Sequence, residues 1–92
     1  MSEANNQQHF ESLQSGLKIL SEVEAQIDDD NARPQVEQAR IYLSKASRNV
    51  KRKGFSREFS EAMGLISSIA VSHGHDDLAE EALRLGSEYK DE

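Results

Sequence analysis

Ninety-two residues without cysteine or tryptophan, 36% of them hydrophobic, describe one small domain with a modest core and exclude disulfides and thiolate metal sites. The net charge of −6 combines 17 acids with 11 lysines and arginines, and seven of those cations fall in residues 40–57, which hold no acid. The opening MSEANNQQHF shows no charged segment leading into an apolar one, so no secretory leader or membrane role is expected and a cytoplasmic location is.

Residues 1–7 are polar and are expected to form a flexible N-terminus ahead of a single helical domain over 8–90. From Gln8 to Ile27, the residues Phe10, Leu13, Leu17, Leu20, Val23 and Ile27 recur at spacings of three and four, which predicts a helix with one apolar stripe. Ile19 is expected to point away from that stripe, and Gly16 weakens the helix by about 1 kcal/mol unless a neighbour needs close approach. The acids Asp28, Asp29 and Asp30 oppose the dipole at a helix C-terminus, so they belong to the connection that follows.

Pro34 fits the first turn of a second helix, with Asp30 or Asn31 as its cap. Val36, Ala39, Leu43, Ala46 and Val50 step by three and four to make its seam. The opposite arc carries Arg40, Lys45, Arg48, Lys51 and Arg52, with Ile41 in their midst. Lys51, Arg52 and Lys53 suit a last helical turn, and Gly54 suits the residue after it. Phe55 and Ser56 then read as a short connection in which Ser56 caps a third helix.

That third helix is the least polar part of the chain. Ala62 to His73 contains no acid, lysine or arginine, and Phe59, Ala62, Met63, Ile66, Ile69 and Ala70 line one face. Leu65 and Val71 lie off the stripe, which predicts cover on several sides. Gly74 reads as its terminator and Asp76 as the cap of a fourth helix running to Lys90, whose apolar residues are Leu78, Ala79, Ala82, Leu83, Leu85, Gly86 and Tyr89.

No segment alternates with the period of a strand. The expected fold is all-α, four short helices as two αα-hairpins, in an antiparallel bundle or a small helical array. The large and small residues Met63, Ile66, Ser67, Ala70, Gly74, Ala79, Leu83 and Gly86 are loosely similar in spacing to a tetratricopeptide-type hairpin, over about a third of the chain. The signature tryptophan, Leu-Gly pair, tyrosine and closing proline of that repeat are absent, so the resemblance implies a tightly packed hairpin and no membership.

Chemistry is sparse. His73-Gly74-His75-Asp76-Asp77 has metal-binding residue types, but a helix break between the histidines leaves them no common face, so no metal or other cofactor is expected. His9 has no evident partner. No nucleophile elbow, phosphate loop or His-Glu-x-x-His pattern occurs, and an enzyme is not expected.

The basic stretch is the remaining candidate. Arg40, Ile41, Lys45, Arg48, Lys51, Arg52, Lys53, Phe55 and Arg57 are the expected partner-binding residues of a small interaction or regulatory protein. The partner would be a protein with an acidic surface, or a second copy in a homodimer. A nucleic acid bound by the same cations is the alternative, weakened by the overall negative charge. Solvation of the helix face alone would need no ligand at all.

Overall fold

Whatever surrounds the uncharged third segment must cover it on most sides, and the bundle is built to do so. The computed structural model describes residues 2–51 and 54–89, with side chains from residue 7 onward. The helices are α1 (Ser2–Gln26), α2 (Arg33–Arg48), α3 (Gly54–Ser72) and α4 (Asp76–Ser87), with a 3-10 turn at Asp30–Ala32 leading into α2. Helix α3 packs between α2 and α4, and α1 lies against all three. Phe59, Ala62, Met63, Ile66, Ile69 and Ala70 are fully buried, as their spacing predicts. Each of the four large ones contributes about 1.5–3 kcal/mol, an upper bound because unfolded chains are already partly compact. Leu65 is half-buried, whereas Val71 is exposed, so one side of α3 remains open near its C-terminus.

Helix α2 follows its expected seam, burying Val36, Ala39, Leu43 and Ala46 with Val50 partly covered. Pro34 occupies its first turn. The cap differs from expectation: the Asp29 side chain accepts from the Asn31 N–H at 2.9 Å and caps the 3-10 turn, and α2 starts from Ala32 with no side-chain cap. Asp30 instead reaches Arg33 at 3.5 Å.

Helix α1 begins at Ser2, and its buried face is turned from the expected one. Leu13, Ile19, Leu20 and Val23 are buried together with Ser12 and Gly16, while Phe10 and Leu17 stand 50% and 45% exposed. Ile19, expected to face outward, is therefore core. The cause is Gly16, where an added Cβ would lie 3.0 Å from Met63 Cε and 3.1 Å from the Phe59 ring. Close approach to α3 requires that small residue to face inward, and it carries Ser12 and Ile19 in with it.

The connections also depart from expectation. Gly54 does not terminate α2; it opens α3, and Ser56 lies buried within α3 rather than capping it. Gly74 does terminate α3, with φ +81, in the left-handed region glycine favours. Helix α4 starts from His75 without a side-chain cap, and Asp76 is its first residue. On α4, Leu78, Ala79, Ala82 and Gly86 are buried and Leu83 is 57% exposed.

One end of the bundle is closed by an aromatic cluster. His9 stacks on Phe55 at 4.2 Å, Phe55 stacks on Phe59 at 5.3 Å, and Tyr89 meets all three rings edge-on at 5.4 Å. Tyr89 shares a 2.6 Å hydrogen bond with Ser12 Oγ, and His9 Nδ1–H donates to the Val50 carbonyl at 2.9 Å. His9 thus has partners, and it ties α1 to the turn after α2.

Candidate functional site

The outward face of α2 follows from its buried seam, because residues opposite Val36, Ala39 and Leu43 on a 3.6-residue helix must meet solvent. Ile41 is 47% exposed there, and Lys45 and Arg48 are exposed; Lys51, expected in the last helical turn, is exposed in the turn that follows, because the backbone leaves the helix at Asn49. Arg57, in the first turns of α3, is exposed as well. Lys45 Nζ stands 5.7 Å from the centre of the Tyr42 ring, within cation–π range. Among the described residues no carboxylate comes within ion-pair distance of Lys45, Arg48, Lys51 or Arg57.

Two expected members behave differently. Arg40 pairs with Glu24 of α1 and, at 3.6 Å, with Glu37 of its own helix, so its charge is already answered. Phe55 is fully buried in the aromatic cluster and offers nothing to a partner. Gly54 as a helix terminator would put Phe55 in a surface connection; with α3 starting at Gly54, Phe55 falls on the inward side. Arg52 and Lys53 lie outside the described residues.

Two apolar residues next to this face were placed in the core by spacing alone. Phe10 and Leu17 are seven apart, as are Leu17 and Glu24, so the three share one line along α1, drifting about 20° per heptad. Glu24 reaches Arg40 of α2, which puts that line on the side of α1 that borders α2. The signal available in the sequence was the acid at Glu24, which marks the end of this line as a solvent flank.

A second polar site joins distant segments. His73 Nδ1 lies 3.0 Å from the Ile69 carbonyl and Nε2 lies 3.1 Å from Asp29 Oδ2. Both neighbours are acceptors, so both contacts are hydrogen bonds only when the ring carries both protons. The Ile69 carbonyl first, and Asp29 second, raise the His73 pKa above its ordinary value. The Asn31 N–H first, and His73 second, lower that of Asp29. This pair fastens the end of α3 to the α1–α2 connection. Among the described residues no three His, Asp or Glu side chains converge as metal ligands would.

The concave features range from about 190 to about 430 Å³. A hollow of about 430 Å³ at the α3–α4 turn is lined mostly by polar residues, among them Glu22, His75, Asp76, Asp77 and Glu81. A cavity of about 190 Å³ between α3 and α4 is lined by Ser60, Met63, Gly64, Ala82, Leu83, Gly86 and Ser87, a mostly apolar set.

Compared with known protein families, curated proteins and solved structures, the chain matches none. The fold itself defines the class, an all-α bundle of four helices among the described residues. Among its described residues no helix is long and apolar enough to cross a membrane.

Proposed function

We propose that this chain is a non-enzymatic protein–protein interaction and regulatory module, acting in the cytoplasm. Its working surface is the cationic outer face of α2 with Arg57 beside it, and its partner is a protein with an acidic surface. The observation that carries this reading is that Lys45, Arg48, Lys51 and Arg57 have no carboxylate within ion-pair distance among the described residues, in a chain with 17 acids. Lone cations repel one another on the free protein, and an acidic partner relieves that repulsion and is steered onto the face from a distance. Nucleic acid remains the second reading because the same cations suit phosphates, but with Phe55 buried the face loses the ring expected beside it for stacking.

The test is capture from an extract of the native host by the immobilised chain, with Arg48→Glu/Lys51→Glu as comparison. The double variant should retain its helical circular dichroism and lose under about 2 kcal/mol, since reversing the charge of Arg48 in the last turn of α2 costs about 0.3–1 kcal/mol and Lys51 is an exposed turn residue beyond the helix. The expected outcome is a protein partner held by the parent and released by the variant. The same partner held equally by both would contradict the proposal. A gel shift with mixed-sequence RNA or duplex DNA that vanishes between low and physiological salt would favour the second reading instead.

A further inference from the structure

The cationic face does not end on α2. The line Phe10–Leu17–Glu24 of α1 is held against α2 at both ends, by the Glu24–Arg40 pair and by the His9 bond to the Val50 carbonyl next to Phe10. Between those ties α1 presents two large apolar side chains to solvent, 50% and 45% exposed. Across from them α2 presents Arg40 and Ser47, seven apart, with Ser44 beside these, and Lys51 follows in the turn after α2, next to the Val50 carbonyl that His9 holds; all four are exposed. By register this leaves a seam between α1 and α2, with Phe10 and Leu17 on one side, Ser44 and Ser47 on the other, and the exposed cations Arg48 and Lys51 towards its Phe10 end. Ile41, Val71 and Leu83 are exposed too, but each is the single large exposed hydrophobic of its helix, whereas Phe10 and Leu17 form a pair on one line.

We infer that this seam is the docking site for an acidic amphipathic helix of a partner protein. The inference rests on the reading of the cationic face as a partner-binding surface, and it specifies what the partner must look like. Phe10 and Leu17 are about 10 Å apart along the helix axis, the rise of two turns. An incoming helix laid along the seam meets them with two large apolar residues one heptad apart, and Ser44 and Ser47 let its backbone come near. The charge sign follows from the cations. Arg40 is already neutralised at the Leu17 end, while Arg48 and Lys51 at the Phe10 end have no ion-pair partner among the described residues. Carboxylates on the incoming helix therefore belong beside the residue that meets Phe10. A basic helix would set like charges together at Arg48 and Lys51.

Two fluorescein-labelled synthetic peptides of equal glutamate and leucine content test this, one with its leucines on a single helical face and one with them scattered. By anisotropy, the amphipathic peptide should bind about tenfold more tightly or better than the scrambled one, because burying even one large apolar side chain supplies that much. Phe10→Gln/Leu17→Gln should erase the difference while leaving the scrambled peptide's binding as it was. Ser47→Tyr, a bulky side chain at an exposed position on the α2 side of the seam, should erase it by a second route. Arg48→Glu/Lys51→Glu should weaken both peptides. If both peptides bind alike and neither seam variant changes this, the seam inference fails and the cationic-face reading stands. If neither peptide binds, both fall. A dimer in sedimentation that Phe10→Gln/Leu17→Gln converts to monomer would assign the seam to a second copy and overturn the inference.

Discussion

His73 is held by two acceptors at once, and that geometry sets a pH dependence. A group whose pKa is raised by folding stabilises the fold below its unfolded value and loses that contribution as pH rises through the folded value. For His73 the contribution is complete below its ordinary 6.5 and fades above the raised value. For Asp29 the sign is opposite: its contribution is complete above 3.8 and fades as pH falls through the lowered value. The pair is therefore whole between these limits. His73→Gln cannot titrate, so the difference in melting temperature between parent and variant should be larger at about pH 6 than at about pH 8.5. A difference that stays constant over that range would show that the ring is held without its second proton. The partners lie 44 residues apart in the chain, and no local pattern could have joined them.

At the scale of elements, glycines test the packing from both directions. Gly64 is exposed in the middle of α3 with open space where a Cβ would stand, so Gly64→Ala should stabilise by about 0.5–1 kcal/mol through helix propensity alone. Gly86 lies where an added Cβ would sit 2.8 Å from Met63 Cβ, so Gly86→Ala should destabilise despite the same propensity gain. Urea melts of the two variants check this, and equal shifts would contradict the close approach of α3 and α4.

The buried stripes of α2 and α3 were legible because every residue in them is apolar and no second set of residues at helical spacing competes for burial. Helix α1 was not, because two faces compete. Leu13, Leu20 and Val23 belong to both, and the choice falls to Ser12, Gly16 and Ile19 over Phe10 and Leu17. Periodicity rewards large apolar residues and is blind to a glycine needed for close approach. The same blindness hid the seam, whose walls are the residues that lost that competition. The aromatic end was hidden for another reason. His9, Phe55 and Tyr89 come from opposite ends and the middle of the chain, and only the bundle brings them together.

Across the whole molecule, charge is sorted by location. Residues 40–57 hold seven cations and no acid while all 17 acids lie outside that run, and among its described cations Arg40 is the one paired with a carboxylate of a described residue. Such sorting does little for stability, since exposed pairs contribute about 0–1 kcal/mol each, but it gives the surface two distinct fields that partners can distinguish. The most direct measurement of where a partner sits is a ¹H–¹⁵N titration of the full chain with the acidic amphipathic peptide. The expected result is a set of shifts centred on Phe10, Leu17, Ser44, Ser47, Arg48 and Lys51, leaving Gly64 and Leu83 unmoved. Shifts centred instead on the α3–α4 groove around Gly64 and Leu83, or none anywhere, would contradict the account.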